Sequence, residues 1–425
     1  MSYKKWVNAE IDKAKASALS EKLNIDAFVA FLLVSRGIDD ELAASEFLSD
    51  GCRFSSPYLL KDMDKAVKRI NRALDDGESI CIYGDYDCDG VTSTALLYTF
   101  LSALGGFVSY YIPNRATDGY GMNFKAIDKI KADGTDLIIT VDNGISSIEE
   151  AEYIYSLGMQ LIVTDHHQIG ENLPRAEAVI NPHREDNEIE FRDFAGVGVA
   201  FKLACALYDG DVEDLLEDYA DYVTIGTIGD MVPLLNENRA IVKSGLKLIN
   251  TDAKIGISAL KKSTNSKAEH FSATDVAFQI CPRINAAGRM DTANLAVDLL
   301  TCEDNEIAEY KAEQLNLENT HRHEVEEKID KDIAEIMAND RAYQTDRVIV
   351  VAGHNYHKGV IGICAAHLVE LYSKPAIVIG IDDEGNATGS ARSIDGFNIF
   401  EAISNCSDIL THFGGHPLAA GMGLN

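Results

Sequence analysis

Three aspartates stand at alternate positions in the stretch CIYGDYDCDG, which covers residues 81–90. Asp85, Asp87 and Asp89 come directly after an apolar run that predicts a buried strand. Carboxylates this close together repel one another strongly unless cations lie among them. The stretch therefore predicts a cation site at the end of a strand.

An EF-hand calcium loop opens with the same D-x-D-x-D-G pattern. That loop needs a glutamate at its twelfth position and a helix before it. The twelfth position here is Leu96, an apolar residue of a predicted helix, and a predicted strand precedes Asp85. These two differences exclude an EF-hand.

Further acidic and imidazole side chains stand near other predicted elements. Asp142 follows the predicted strand DLIITV, and Asp165, His166 and His167 follow the predicted strand LIVT. Asp230 lies in the helical stretch YVTIGTIGDMVPL. If the strands are parallel and adjacent, the side chains at their ends gather along one edge of the sheet. Carboxylate and imidazole donors suit Mn²⁺ or Mg²⁺ better than a metal that prefers thiols. One cation would not need so many ligands, so the sequence predicts two. Paired cations clamp the attacking and leaving oxygens in phosphoryl displacement.

Each of these features has a simpler explanation when it is taken alone. An aspartate at a strand end is usually a helix cap, and Asp89 before GVTST fits that role. A pair of adjacent histidines is more often structural than ligating. The metal hypothesis depends on the combination, because nearly all of these side chains stand at the carboxyl ends of predicted strands.

The elements that would position these residues follow an alternating pattern. From about residue 78, short apolar runs alternate with amphipathic segments of helical length, which predicts an α/β fold with a parallel sheet. The predicted strands are SICIY, GFVSYYI, DLIITV, QLIVT and EAVI. We expect a helical N-terminal lead over 1–77 and the main domain over 78–304, mostly helical after about 195.

A second, smaller α/β domain is predicted near the end of the sequence. The charged segment 305–345 predicts a long connecting helix, whose apolar positions are too irregular for a coiled coil. The βα alternation then resumes over 346–425 in RVIVVAG, GVIGICAAHLVELY, PAIVIG and ATGSARS. The final segment, GGHPLAAGMGLN, stops as a strand begins, so we expect this domain to be truncated or a further one to be missing.

The composition is that of a soluble globular protein, with 46% hydrophobic and 25% charged residues in 425. No apolar run is long enough to cross a bilayer and no signal peptide opens the chain, so we expect a cytoplasmic protein without a membrane partner. Eight cysteines without a C-x-x-C pair predict reduced, mostly buried thiols. The net charge of −30 argues against a non-specific nucleic-acid binder and fits a cation-binding or very soluble protein.

Nine motifs, taken in order, resemble those of the DHH phosphoesterase family and of its RecJ branch in particular. They are YGDYDCDG, VDNGIS, VTDHHQ, INPHR, AGVGVAFKL, GTIGDMVPL and PRINAAGRM, then GSARS and GGHPLAAGM in an accessory domain of the DHHA1 type. The family takes its name from an Asp-His-His run, here Asp165, His166 and His167. The resemblance covers most of the chain. It implies a DHH catalytic domain and a 5′→3′ exonuclease that hydrolyses single-stranded DNA to 5′-mononucleotides in DNA repair and recombination.

The resemblance also implies a centre of two divalent cations, Mn²⁺ by preference and Mg²⁺ as the alternative. The implied metal ligands are Asp85, Asp87, Asp89, Asp142, His166 and Asp230. Asp142, with or without Asp230, would bridge the two cations, and Asp85 would be a ligand or lie just behind the ligands. Related phosphatases have a histidine ligand where this chain has Tyr83, so one cation would have fewer protein ligands.

Three residues have implied catalytic roles. Asp165 would orient an imidazole, since ligating histidines usually donate their other N–H to an acceptor. His167 would face the scissile phosphate, and Arg289 would bind it. Single-stranded DNA would be the partner, and its implied contacts are Arg115, Arg283, Asn285, Ser390, Arg392, Gly414, Gly415 and His416.

The accessory domain would capture the 5′ end of the strand. A glycine pair lets the backbone approach a phosphate, and an arginine offers two parallel hydrogen bonds, although the glycines also fit an ordinary turn. RecJ-type enzymes are associated with helicases and single-strand-binding protein, but the sequence contains no visible docking motif for either.

Two other functions remain open. One is a DHH-family phosphodiesterase acting on short RNA or cyclic dinucleotides, and the other is a non-catalytic replication scaffold. The helical N-terminal lead and CPRINAAGRM favour the RecJ branch over the first. Scaffold relatives typically lose metal ligands, whereas every implied ligand is present here.

Overall fold

The computed structural model describes residues 7, 10–49, 54–115, 121–208, 210–340 and 342–424. The start of the predicted N-terminal lead, Cys52 and part of the motif that contains Arg115 lie outside these residues. The chain divides into two units, Val7–Asn316 and Leu317–Asn425. Each unit is described by itself.

The first unit is built on a parallel sheet. Its strands are β1 (Ser79–Tyr83), β2 (Phe107–Tyr111), β3 (Leu137–Val141), β4 (Gln160–Thr164) and β5 (Ala178–Ile180). They form a five-stranded sheet in the order β2-β1-β3-β4-β5, and every pair is parallel. The sequence predicted each of these strands to within one residue at either end.

Helices account for most of the remainder of this unit. They are α1 (Lys13–Leu23), α2 (Ala27–Ser35), α3 (Glu41–Leu48), α4 (Met63–Asp76), α5 (Cys88–Ala103), α6 (Phe124–Ala132), α7 (Ile148–Ser156), α8 (Gly196–Leu207), α9 (Val212–Gly229), α10 (Asn236–Thr251), α11 (Ile255–Ser263), α12 (Ala273–Asp275), α13 (Cys281–Met290) and α14 (Asn294–Leu300). A 3₁₀ turn covers Pro57–Leu59, and a π-helical turn covers Val276–Ile280.

The sheet is buried on both faces, as expected when helices cover a parallel sheet. In β1, Ile80 and Ile82 belong to one apolar cluster, whereas Cys81 and Tyr83 belong to the other. The central strands β1, β3 and β4 therefore have no solvated face, whereas the edge strand β2 is partly exposed.

The helix α15 (Asn305–Asn339) begins in the first unit, and the boundary between the units falls within it. The sequence predicted a long helix here from the same first residue. The predicted domain limits of 1–77, 78–304, 305–345 and 346–425 stay predictions, because the unit boundary does not test them one by one.

The second unit contains a smaller mixed sheet. Its elements are α16 (Ala342–Thr345), β6 (Ile349–His354), α17 (Ile361–Tyr372), β7 (Ala376–Ile381), β8 (Ala387–Arg392), α18 (Ile399–Ser404), a 3₁₀ turn (Ser407–Ile409), β9 (His412–His416) and β10 (Ala419–Leu424). The strand order is β6-β7-β8-β10-β9. Only β6 and β7 are parallel, and the other pairs are antiparallel. The predicted fold class, a parallel-sheet α/β domain with a smaller α/β domain, is confirmed.

Within the described part of the chain, no helix has both the length and the apolar character needed to cross a membrane.

Candidate metal centre

The carboxyl ends of β1, β3 and β4 lie side by side, because β3 pairs with both of the others in parallel register. Asp142 and Asp165 directly follow β3 and β4, and Asp85 follows β1 after Gly84. Three groups of donor atoms lie within 4.8 Å of one another at this edge, namely Asp85 with Asp87 and Asp142, Asp142 with His166 and His167, and Asp89 with His166 and Asp230. Asp142 and His166 each belong to two groups, so the structure offers adjacent positions for more than one cation.

Asp87 is the N-cap of α5. Its Oδ1 accepts hydrogen bonds from the backbone N–H groups of Asp89 (2.9 Å) and Gly90 (3.1 Å). The simpler sequence interpretation predicted Asp89 as the helix cap, whereas the structure has the cap two residues earlier, at Asp87. Gly90 is required for steric reasons, because a Cβ atom there would lie 2.5 Å from the carbonyl oxygen of Asp85.

Asp89 is 1% exposed and anchors the start of α8. Its Oδ2 accepts from the N–H of Gly196 (2.5 Å), and its Oδ1 accepts from the N–H of Val197 (2.9 Å). Burial, followed by the charges of Asp230 and Asp87, raises its pKa well above the usual range. The N-terminus of a helix stabilises a nearby negative charge, and here it holds one member of the cluster in place.

Asp85 and Asp142 are 3% and 2% exposed. The Oδ1 atoms of both are buried and accept no hydrogen bond of acceptable geometry among the described residues. Burial and the neighbouring aspartates raise the pKa of both carboxyl groups. Buried acceptors without donors are costly, and cations at this position would satisfy both oxygens. The residues therefore fit a metal centre.

Asp165 holds its own turn and the ring of His167. Its Oδ1 accepts from the N–H groups of His166 (2.7 Å) and His167 (3.0 Å) and lies 2.7 Å from Nδ1 of His167. Its Oδ2 accepts from the N–H of Ile145 at 2.9 Å. Burial opposes ionisation of Asp165, but these bonds hold its pKa below the usual value. Burial likewise opposes the charged form of His167, yet Asp165 raises the pKa of that ring to about 9.

His166 has the opposite character. Burial, followed by the charge of His167, lowers its pKa to about 4, so its imidazole is neutral at pH 7. Its Nε2 lies 3.1 Å from Oδ1 of Asp142, and its Nδ1 lies 3.7 Å from Oδ2 of Asp230. A neutral imidazole is the form that binds metals.

Asp230 follows the last residue of α9 and completes this side of the cluster. Burial, followed by the charge of Asp87, raises the pKa of its carboxyl group to about 7. Its side chain is 28% exposed, more than those of Asp89 and Asp142. The cluster is therefore accessible on this side.

Arg115 and Arg289 lie close to the aspartate loop. The Arg115 guanidinium is 5.1 Å from the centre of the Tyr86 ring. A Cβ atom at Gly288 would come within 2.3 Å of the carbonyl oxygen of Tyr86, so α13 packs directly against the loop just before Arg289. The charges of both arginines act on Tyr86. The predicted strand contact Arg115 and the predicted phosphate contact Arg289 thus both lie near this loop, and their roles stay predictions.

Arg283 and Asn285 have other partners in the structure. Arg283 donates to the carbonyl oxygen of Gln279 (2.6 Å) and to Oδ1 of Asn316 (3.1 Å). Oδ1 of Asn285 accepts from the N–H of Cys88 at 2.8 Å, which ties α13 to the aspartate loop. Their predicted contacts with substrate stay predictions.

The remaining predicted contacts lie in the second unit. Arg392 on β8 and His416 on β9 both pair with Ala419 on the strand between them, β10. Ser390 on β8 and Gly414 on β9 both pair with Gly421 of β10, two residues further along. Aligned side chains point to the same face of a sheet, so Arg392 and His416 share a face at about 10 Å separation. Gly415 has φ +150°, and a Cβ atom there would lie 2.4 Å from the carbonyl oxygen of Ala419.

Sequence reasoning missed three side chains of the metal centre. Asn143 donates to the carbonyl oxygens of Tyr83 and Val141 and so links the ends of β1 and β3. Asn181 donates to the carbonyl oxygen of His167. His183 lies close enough to His166 to lower its pKa. All three stand within the quoted motifs VDNGIS and INPHR, so their proximity to strand ends was the available signal.

Comparison with known proteins gives a consistent family. Residues 79–227 match the model of the DHH family, N-terminal domain, and residues 345–425 match the model of the DHHA1 domain. The single-stranded-DNA-specific exonuclease RecJ of Bacillus subtilis is 44% identical over 422 residues, which are 99% of this chain. This chain spans 53% of the length of that relative, or about half.

Two solved structures of RecJ also match. A manganese-bound exonuclease RecJ is 33% identical with a TM-score of 0.75, and the match covers 88% of this chain and 92% of that one. RecJ of Thermus thermophilus in complex with Mn²⁺ is 30% identical with a TM-score of 0.81, and the match covers 97% and 59%. Together with the two domain matches, these similarities show that this chain belongs to the RecJ family of DHH phosphoesterases.

Proposed function

We propose that this chain hydrolyses single-stranded DNA from its 5′ end to 5′-mononucleotides and that it uses two divalent cations, Mn²⁺ in preference to Mg²⁺. The observation that carries this proposal is the set of overlapping donor groups that share Asp142 and His166. Solved RecJ structures of the same family are described as bound to manganese or magnesium, which supports the choice of cation.

The proposed ligands are the six residues already predicted, with Asp142 as the bridge: Asp85, Asp87, Asp89, Asp142, His166 and Asp230. When bound, two cations lower the pKa of water to near neutrality and neutralise charge on the reacting phosphate. The chain's own contribution is to hold the carboxylates in position, which Asp87 and Asp89 do through their bonds to the starts of α5 and α8.

His167 and Arg289 would act on the phosphate. Asp165 fixes the orientation of the His167 ring through Nδ1. Asp165 raises the pKa of this ring, and in its protonated form His167 would donate a proton towards the leaving 3′ oxygen. Arg289 would balance the charge that develops on phosphorus.

Ser390, Arg392 and His416 would bind the 5′ end of the strand. Arg392 donates to Oγ of Ser390 at 3.1 Å and stands on the same sheet face as His416. Gly414 pairs with the same residue of β10 as Ser390, and nothing lies within 4 Å of a Cβ atom at Gly414, so a phosphate could approach the backbone on this face. Binding of the strand end by this face would make the nuclease an exonuclease.

The proposed setting is DNA repair and recombination in the cytoplasm. A helicase that opens duplex DNA and a single-strand-binding protein that coats the product are the proposed protein partners. Co-purification of either protein with the full chain on single-stranded DNA, but not with the chain alone, would show a link through DNA rather than a direct contact.

The test is digestion of single strands labelled at the 5′ or the 3′ end, with and without Mn²⁺. A 5′ label should be released at once as a mononucleotide, and a 3′ label should appear in steadily shortening strands. Release of the 3′ label first would contradict the direction. Faster hydrolysis of a short RNA or a cyclic dinucleotide than of long single-stranded DNA would contradict the substrate.

A further inference from the structure

A second cluster of metal-ligating side chains lies within the unit Leu317–Asn425. Glu326, Asp330 and His367 each offer one donor atom, and the three atoms lie within 4.8 Å of one another. Nδ1 of His367 is 2.9 Å from Oδ2 of Asp330, and its Nε2 is 3.4 Å from Oε1 of Glu326. None of these residues belongs to the centre at the edge of the parallel sheet.

Helical spacing brings the donors together. Glu326 and Asp330 are four residues apart on α15 and therefore lie on one face of that helix. His367 stands on α17, one turn after the buried Cys364. Two helices thus supply two carboxylates, an imidazole and a nearby thiol at their contact.

In the described part of the chain, Arg322 is the permanent cation that pairs with these carboxylates, and of the two it reaches Glu326 alone. Arg322 pairs with Oε2 of Glu326 at 2.5 Å, which leaves Oε1 towards His367. Asp330 contacts the imidazole of His367 and acts on the thiol of Cys364, and neither group has a permanent positive charge.

The cluster is accessible to ions from solution. It borders a groove of about 350 Å³ lined by Asp330, Ile333, Met337, His367 and Leu368. Glu326 is 7% exposed, whereas the side chains of Asp330 and His367 are 36% and 42% exposed. The site therefore has a buried side that fixes its geometry and an open side through which an ion can enter.

We propose that Glu326, Asp330 and His367 bind a Zn²⁺ ion and that this ion links α17 to α15. One imidazole and two carboxylates form a donor set that Zn²⁺ uses, and a fourth, open position would hold water. Arg322 acts on the ion through Glu326 by fixing the orientation of its carboxylate.

Fixing α17 has a consequence for the sheet that it covers. A Cβ atom at Gly362, near the start of α17, would lie 2.9 Å from both Oγ of Ser390 and Nη2 of Arg392. The helix therefore supports the side chains that are proposed to hold the 5′ end. This Zn²⁺ ion would have a structural role, separate from the catalytic role proposed for the cations at the edge of the parallel sheet.

Zinc binding by the tag-free full chain tests this site. The double variant Asp142→Asn, His166→Gln removes a donor from each of the three groups at the sheet edge and so weakens zinc binding there. Competition with a chromophoric chelator then measures what remains. One equivalent of Zn²⁺ should persist in this background. Adding His367→Gln should lower the affinity for this retained Zn²⁺ at least about tenfold. Adding Glu326→Gln instead should lower the affinity by a similar factor, and the glutamine still offers Arg322 a hydrogen-bond partner.

Glu335→Gln is the matched control, because it removes an exposed carboxylate from the same helix. The Glu335→Gln substitution should leave the affinity for the retained Zn²⁺ unchanged. Zn²⁺ should also raise the unfolding temperature of the background but not of the His367→Gln variant, whose circular dichroism shows whether it is folded. Equal zinc affinity with and without His367→Gln would overturn the site and leave only an ion-pair network there, whatever the nuclease activity.

Discussion

Asp87 combines a structural and a proposed chemical role, and the two can be separated. Its Oδ1 caps α5, whereas its place in the donor group with Asp85 and Asp142 makes it a proposed ligand. An asparagine retains a capping oxygen but not the charge, and an alanine has neither. The two substitutions therefore report on different functions of one side chain.

Both Asp87→Asn and Asp87→Ala should reduce hydrolysis of single-stranded DNA by more than about a hundredfold, because even partners of metal ligands contribute tenfold to a hundredfold. The alanine variant should also be less stable than the asparagine variant by about 1 kcal/mol, the usual effect of losing an N-cap. Initial rates in Mn²⁺ and urea unfolding in chelator measure these effects. Activity close to that of the parent in either variant would rule out Asp87 as a ligand.

The buried carboxylates should make the cation-free protein sensitive to pH. The pKa values of Asp85, Asp89 and Asp142 are raised, and that of Asp230 is raised to about 7, mainly by burial. Between the ordinary carboxyl pKa near 4 and about 7, the folded state binds more protons than the unfolded state, so stability falls as pH rises. The unfolding temperature in chelator should therefore decrease from pH 5 to pH 8.

Two comparisons isolate this effect from other titrations. Mn²⁺ should reduce the fall in unfolding temperature between pH 5 and pH 8, because the cations replace the protons. The Asp142→Asn substitution should also make this fall shallower. The raised pKa of His167 acts in the same direction at higher pH, as its proton is lost near pH 9. A cation-free protein whose stability rises steadily from pH 5 to pH 8 would contradict the assigned shifts.

Residue types and strand ends predicted the cluster, but not the roles of its hydrogen bonds. The alternation in DYDCDG does not say which aspartate caps α5, because that choice depends on where the helix begins. The bond from Asp89 to Val197 joins residues 108 positions apart, and no local pattern predicts it. Asn143, Asn181 and His183 were missed for the same reason, since Tyr83, His167 and His166, with which they interact, lie elsewhere in the sequence.

At the scale of elements, the edge of the parallel sheet is shaped by close contacts that only glycine allows. A Cβ atom at Gly196, the first residue of α8, would lie 2.6 Å from Cβ of Asp142 and 2.8 Å from its Oδ1. The helix can thus approach the end of β3 and present its N–H groups to Asp89. The positions of α8 and Asp142 are coupled.

Gly196→Ala should therefore displace Asp142 or α8. We expect the substitution to lower the affinity for Mn²⁺ and to reduce turnover at least about tenfold, with a loss of stability of about 1–3 kcal/mol from overpacking. Gly170→Ala is the control, because nothing lies within 4 Å of a Cβ atom there. Full activity of Gly196→Ala at low Mn²⁺ would show that this contact does not position the ligand.

Strong local signals explain which elements the sequence predicted. Runs of Val and Ile bounded by turn residues predicted β1, β3 and β4, and a charged segment without Gly or Pro predicted α15. The π-helical turn at Val276–Ile280 was not predicted, because its pattern does not differ from that of an α-helix. The pairing of β9 with β10 was also missed, since glycine-rich strands have weak periodicity.

At the scale of the whole molecule, the net charge of −30 opposes the binding of DNA. Part of this charge belongs to the carboxylates of the metal centre, which cations would neutralise. The proposed binding of single-stranded DNA would then depend on local contacts, for which Arg115, Arg289 and Arg392 are the candidates. An acidic exterior also weakens binding to arbitrary duplex DNA.

Affinity for single-stranded DNA should be modest and sensitive to salt. For the inactive Asp87→Asn variant in Mn²⁺, an increase from 50 to 200 mM salt should weaken the binding of a labelled single strand by about tenfold or more, since contacts with a few phosphates release counterions. Fluorescence anisotropy measures this change. Equal affinity at both salt concentrations would contradict binding through phosphate contacts.

The most direct test of the metal centre is a crystal of the full chain soaked in Mn²⁺ and measured at the manganese edge. The proposed function predicts two anomalous peaks about 3.5–4 Å apart, with Asp142 between them and with Asp87 and His166 among the ligands. A soaked crystal without a pair of peaks at this edge of the sheet would contradict both the metal centre and the nuclease that depends on it.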